Sequence, residues 1–239
     1  MTENIPNRSG DPFTTDDESQ ILNTIDRWLE KDVKDKVLAL DHADEYPTQM
    51  VEQMKSLGLF GATISQRYGG LGMPSASYAK VVTAVSEVWM SLTGIFNSHL
   101  IMAAAVERFG TEEQRQRFLP KFATGEIRGG LALTEPSCGT DLQAIRTKAH
   151  KDGDHYVING AKTWISNGIQ GDCVALLVKT DTEIQPRHKG MSLFLAEKGP
   201  GFSVGPKLKK LGYKGIDSAE LFFDDYVIAA NNLIGGQEG

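Results

Sequence analysis

The chain has 239 residues, is 40% hydrophobic and carries a formal net charge of −6, enough length to bury one large core or two smaller ones. The acidic balance argues against a general nucleic-acid surface, and any anionic partner needs a local basic patch. Cys138 and Cys173 lie far apart without metal-ligand or C-x-x-C spacing, so they read as packing thiols in a reduced, cytoplasmic setting with no metal site.

Residues 1–14 are polar and lack the apolar segment of a secretory signal, so a disordered leader is expected there. No unbroken apolar run approaches the roughly 20 residues needed to cross a bilayer, so no membrane span is expected.

The next stretch, 15–128, reads as an all-α domain. Thr15 with Glu18 fits a capping box, and Leu22, Ile25, Trp28 and Leu29 follow on one helical face. Val51, Met54 and Leu57 mark a second helix stopped by Gly58. Gly61 to Pro74 is glycine-rich and reads as a connecting loop; its glycine cluster alone is weak grounds for a phosphate site. Tyr78, Val81, Val82 and Val85 restore the helical period over Ser75 to Val88. Leu92 to Phe109 is apolar almost all round, which predicts a central, buried helix. Thr111 with Gln114 makes another capping box, and this last helix ends near Gly125.

From Gly129 the period becomes that of strands, giving a second domain over 129–239. Leu131 starts a short strand that Pro136 ends, because proline cannot donate to a ladder. Asn159–Gly160 between two β-rich runs predicts a hairpin turn. Cys173 to Val178 is apolar throughout and suits a strand buried on both faces. Met191 to Ala196 and Leu221 to Phe223 add strands, and the whole suggests an antiparallel sandwich or barrel. The fold class is therefore α+β, with an all-α segment followed by an all-β one.

Two stretches carry chemistry. After Leu131-Ala-Leu-Thr-Glu-Pro come Ser137, Cys138, Gly139 and Thr140, small residues whose amides and hydroxyls can approach a phosphate closely. An ordinary strand-to-loop exit explains the same residues. Farther on, Trp164 and Ser166 lie two apart, so on a regular strand they share a face. That pair suits an aromatic heterocycle needing a hydrogen bond; a core tryptophan beside a strand-end serine is the plainer alternative. Lys207, Lys209 and Lys210 read as a solvated turn, His188 and Lys189 as a loop, and His150 and His155 as surface histidines.

The spacing in these stretches resembles a known family. The run from Ala132 to Ala144 resembles the first signature of the flavin-dependent acyl-CoA dehydrogenases, with Cys138 where Gly, Ala, Ser or Asn is usual. Asn159-Gly160-x-Lys162-x-Trp164-Ile165-Ser166-Asn167, then Lys210 to Ser218 and Asn232 to Gly235, resemble the same family in the same order. The resemblance implies FAD as cofactor. By it, Thr134 and the amide of Leu133 meet the pyrimidine end of the flavin, and Thr140 with the amide of Gly139 meets the pyrophosphate. Trp164 packs beside the isoalloxazine, and Ser166 reaches the flavin N5. Thr93, Gly94, Asn97 and Ile101 match acyl-pocket positions, and the resemblance implies that Thr140 touches coenzyme A as well. The implied activity is α,β-desaturation of an acyl-CoA thioester, with electrons passed to an electron-transfer flavoprotein and with dimer or tetramer assembly. The family's base lies in a C-terminal helical domain absent from this sequence, so no catalytic residue is assigned and the chain alone is expected to be inactive. A flavin monooxygenase of the same fold, or a non-catalytic flavin- and acyl-CoA-binding subunit completed by a partner chain, are the alternatives.

Overall fold

The computed structural model describes residues 13–239, so most of the expected leader lies outside the described residues. Helix α1 (Thr15–Trp28) is capped by Thr14, whose Oγ1 accepts from Asp17 N–H at 3.1 Å while the Asp17 carboxylate accepts from Thr14 N–H at 2.9 Å. The box therefore sits one residue upstream of the Thr15/Glu18 reading. Glu18 is used elsewhere, accepting a 2.6 Å hydrogen bond from Ser77 and pairing with Lys80. A π-helical turn (Leu29–Val33) and a 3-10 turn (Lys34–Lys36) carry the chain into α2 (Val37–Ala43). Helix α3 (Thr48–Ser56) stops where expected, with Gly58 left-handed at φ 72°.

Helix α4 (Ser75–Phe109) joins two predicted helices across a kink, since Trp89 has non-helical angles (φ −157°, ψ 103°). Among the described residues it is the one helix long and apolar enough to cross a membrane, and 61% of its apolar window is buried inside the protein. Helix α5 (Glu112–Thr124) begins with the Thr111/Gln114 box. Gln114 also donates from Nε2 to Asn231 O (2.8 Å) and Leu233 O (2.7 Å), tying α5 to the far end of the β part.

Seven strands follow: β1 (Gly129–Ala132), β2 (Lys148–Asp152), β3 (His155–Ser166), β4 (Cys173–Lys179), β5 (Met191–Glu197), β6 (Phe202–Val204) and β7 (Ser218–Ala229). They form one sheet in the order β1-β4-β2-β3-β7-β6, with β5 on the other edge of β4. The sheet is mixed. Pairs β2–β3, β3–β7, β4–β5 and β6–β7 are antiparallel, while β1 and β2 both run parallel to β4. Strand β1 pairs with Cys173–Leu176 and β2 touches β4 only at Lys179, so they share one edge of β4 end to end.

Strand β4 is buried on both faces, as its composition predicts. Cys173 and Ala175 join the helical core with Trp28, Phe60, Phe96 and Phe122. Val174, Leu176 and Val178 face a second core with Tyr156, Ile158, Phe194 and Phe223. The hairpin falls elsewhere than predicted. The β2–β3 turn is at Gly153 (φ 61°), and Asn159–Gly160 lies within β3 at a register shift against β7. The freedom of Asn–Gly is spent there on a bulge. Asn159 exchanges hydrogen bonds with Asp225, and a Cβ on Gly160 would lie 2.7 Å from Thr147 Cα.

Candidate functional site

Because β1 and β2 share an edge of β4, residues 133–147 leave the sheet and return to the same edge. The base of this excursion is held by Glu135, which is 5% exposed. Its carboxylate accepts from the N–H groups of Arg146 (2.6 Å) and Thr147 (3.0 Å) and from Lys162 Nζ (2.8 Å). Lys162, on β3 and fully buried, donates also to Leu133 O at 3.0 Å. Burial raises the Glu135 pKa, but the hydrogen bonds from Lys162 and Thr147 outweigh it and hold the carboxyl below its ordinary range. Burial lowers the Lys162 pKa, with Glu135 opposing. A buried pair of this kind is stable only when its remaining donors and acceptors are met, and here backbone groups meet them.

Glu135 and Cys138 exchange backbone hydrogen bonds around Pro136–Ser137, which turns the chain back so that Gly139 lies beside Thr134. A Cβ on Gly139 would meet only Thr134 Cγ2, at 3.8 Å. Thr163 N–H donates to Thr134 O at 2.9 Å, and this crossing delivers Trp164 to the same neighbourhood. Trp164 is 57% exposed and left-handed (φ 59°) at a register shift between Lys162 and Ile165. A bulky residue in that region is a backbone outlier. The bulge turns the indole outward, so the alternative of a core tryptophan does not hold, and Trp164 and Ser166 do not follow simple strand alternation. Among the described residues, no side-chain hydrogen bond within the protein engages the hydroxyls of Thr134, Thr140 or Ser166.

Two residues beyond Trp164, where β3 ends, the site meets α4. A Cβ on Gly130 would lie 2.6 Å from Ser166 O and 3.7 Å from Ser98 Cβ, so the glycine permits a close three-way crossing of β1, β3 and α4. Asn167, 2% exposed and left-handed (φ 60°), fastens it: Nδ2 donates to Ile95 O on α4 and to Gly129 O on β1, both at 2.9 Å. Of the predicted pocket residues on α4, Thr93 is hydrogen-bonded to Ser86 (2.8 Å) and Asn97 accepts from Tyr78 at 2.8 Å. Gly94 lies under the Tyr213 hydroxyl, and Ile101 is 46% exposed.

Leu133, Thr134, Gly139 and Trp164 are thus brought together directly, Thr140 follows Gly139 in the chain, and Ser166 joins through β1 to the α4 residues. Glu135, Lys162 and Asn167, all inside the matched motifs, have no role assigned from sequence; a lysine within a β-rich run, and a charged and an amide residue just past strand ends, are the available signal. Of the lysines in the 207–210 turn, Lys209 is exposed as expected, but Lys207 and Lys210 are not simply solvated. Lys207 donates to the carbonyls of Asp44 (2.7 Å) and Lys214 (3.0 Å), and Lys210 to Ile216 O at 2.6 Å. A separate cavity of about 530 Å³ opens at the α4 kink, between Val37, Leu38, Trp89, Met90 and Tyr213.

Comparison with known proteins agrees with the motifs. Residues 15–126 match the N-terminal domain of acyl-CoA dehydrogenases, and residues 130–226 match their middle domain. The chain belongs to the acyl-CoA dehydrogenase family. It is 36% identical over 227 residues to the short-chain specific acyl-CoA dehydrogenase of Clostridium acetobutylicum, covering 94% of this chain and 59% of that one. A chain solved in work on the electron transferring flavoprotein of Acidaminococcus fermentans superposes with a TM-score of 0.89 at 33% identity, covering 95% of this chain and 60% of that one. A glutaryl-CoA dehydrogenase of Mycobacterium smegmatis in complex with FADH2 gives a TM-score of 0.84 at 26% identity, with 95% and 57% covered. The chain therefore spans under two-thirds of the length of these relatives.

Proposed function

We propose that residues 133–140 and 164–166 hold one side of an FAD, and that the protein carrying this chain desaturates an acyl-CoA thioester and passes the electrons to an electron-transfer flavoprotein. The observation that carries this reading is an outward-turned indole beside a glycine-opened loop, where the hydroxyls of Thr134 and Thr140, and of Ser166 two residues beyond Trp164, make no side-chain hydrogen bond among the described residues. Those residues fit a flavin. An exposed aromatic plane can lie against the ring system, Gly139 lets backbone approach the pyrophosphate, and hydroxyl donors meet positions where charge grows on reduction. When bound, the flavin supplies hydride acceptance, and this chain supplies alignment.

Within residues 13–239 we assign no proton-abstracting base. Of the two acidic residues of the loop, Glu135 is already saturated by Lys162 and two backbone N–H groups, and Asp141 is exposed. The crossing of Gly130, Ser98 and Ser166, fastened by Asn167, aligns α4 with the flavin strand, and the acyl chain is proposed to run along Asn97 and Ile101, beside the Tyr213 ring that fills the space over Gly94. Anaerobic addition of a short acyl-CoA to the flavin-loaded protein carrying this chain tests the activity. Bleaching of the flavin absorbance with formation of the enoyl thioester is expected; an unbleached flavin across acyl-CoAs of every length contradicts the reading.

A further inference from the structure

Lys162 is the only fully buried cation among the described residues, and the hold it has on the loop is unevenly shared. One hydrogen bond goes to its counter-ion Glu135, and the other, at 3.0 Å, goes to the carbonyl oxygen of Leu133. That carbonyl belongs to the same trans peptide as the N–H of Thr134. In a planar trans peptide the two groups point in opposite directions, so the Thr134 N–H is directed away from Lys162. No backbone partner within the protein engages that N–H among the described residues. A cation on the carbonyl side of a peptide withdraws electrons through the amide and makes its N–H a stronger donor, the more so in a low-dielectric interior.

We infer that Lys162 is a positioning residue that polarises the Leu133–Thr134 peptide, so that the Thr134 N–H favours the reduced over the oxidised flavin and raises the cofactor's reduction potential. The inference rests on the flavin reading above. Glu135 sets the strength of the effect. It shares the ammonium's charge with Leu133 O, and its own attachment to Arg146 and Thr147 keeps the ammonium from drifting off the carbonyl. Exposed cations would be screened by water and counter-ions; this one is not.

The test is the midpoint potential of the bound flavin in the parent and in the double variant Lys162→Met with Glu135→Gln, which removes both charges together and so leaves no unpaired buried ion. The ratio of reduced to oxidised flavin affinity is expected to fall about tenfold, a shift of ~30 mV to more negative potential for a two-electron couple, with the flavin still bound. Bound flavin at an unchanged potential overturns the inference and leaves the flavin site standing. A parent protein that takes up no flavin overturns the underlying reading instead. If the double variant does not fold, the parent still decides through its carbonyl 13C spectrum. A Leu133 carbonyl downfield of the other loop carbonyls supports polarisation, and one at an ordinary position refutes it.

Discussion

His99 sits between the rings of Phe60 and Phe122 on α4, with Nε2 3.0 Å from Phe122 O. Burial lowers its pKa from 6.5 to about 4. The folded state therefore resists protonation in a range where the unfolded chain accepts it. Stability is full above pH 6.5 and falls as the pH drops toward 4, by about 3 kcal/mol from this group alone. Glu135 acts with the same sign at lower pH, because its depressed pKa makes the carboxylate's contribution vanish as it protonates. Urea midpoints measured from pH 7 to 4 should fall steeply in the parent and more gently in His99→Gln. Parallel pH profiles for the two proteins would show that His99 is not the group responsible. Cys173 has no comparable role: burial pushes its thiol up, and it packs 3.7 Å from Met102 Sδ as an inert core residue.

Among the elements, α4 is the one on which both halves of the molecule depend. Its Gly94 leaves the space taken by the Tyr213 ring, since a Cβ there would fall 1.7 Å from the Tyr213 hydroxyl oxygen. Gly94→Ala should therefore destabilise the protein by about 1–3 kcal/mol, the usual cost of overpacking a filled site. Adding Tyr213→Ala should recover part of that loss, and a thermal unfolding series of the two single variants and the double one reads the coupling. Strict additivity would mean that the two residues do not meet. The helices and the long strands were legible because burial on one face imposes a period that shows directly in the sequence. The mixed pairing was not legible, since β1 and β2 meet β4 through contacts 44 and 31 residues apart, which leave no local mark. Asn159–Gly160 shows the same limit. Its backbone freedom is real, but pairing with β7 decides that it forms a bulge and Gly153 the turn. Trp164 and Ser166 were recognisable as a pair, while the left-handed backbone that turns the indole outward was not.

At the scale of the whole molecule, the helices pack on the sheet at β1, β4 and β5 and the second core lies on the sheet's other side, so the loop at 133–147 is anchored on a rigid edge. Rigid support of this kind is what a cofactor site requires, because a binding surface that must first order itself loses affinity. The Asn167 bridge and the Gln114 bonds to Asn231 O and Leu233 O join the helical and β parts at two separate places, and relative motion between them is correspondingly restricted. The claim that everything else depends on is that Trp164 forms one wall of a flavin site. Titrating FAD into the protein carrying this chain and into its Trp164→Ala variant tests this most directly, with circular dichroism to check the fold. Because the indole is more than half exposed, the variant should keep its structure while its Kd for FAD rises about tenfold, equivalent to ~1.4 kcal/mol of lost stacking. Equal FAD affinity in the two folded proteins would contradict the account.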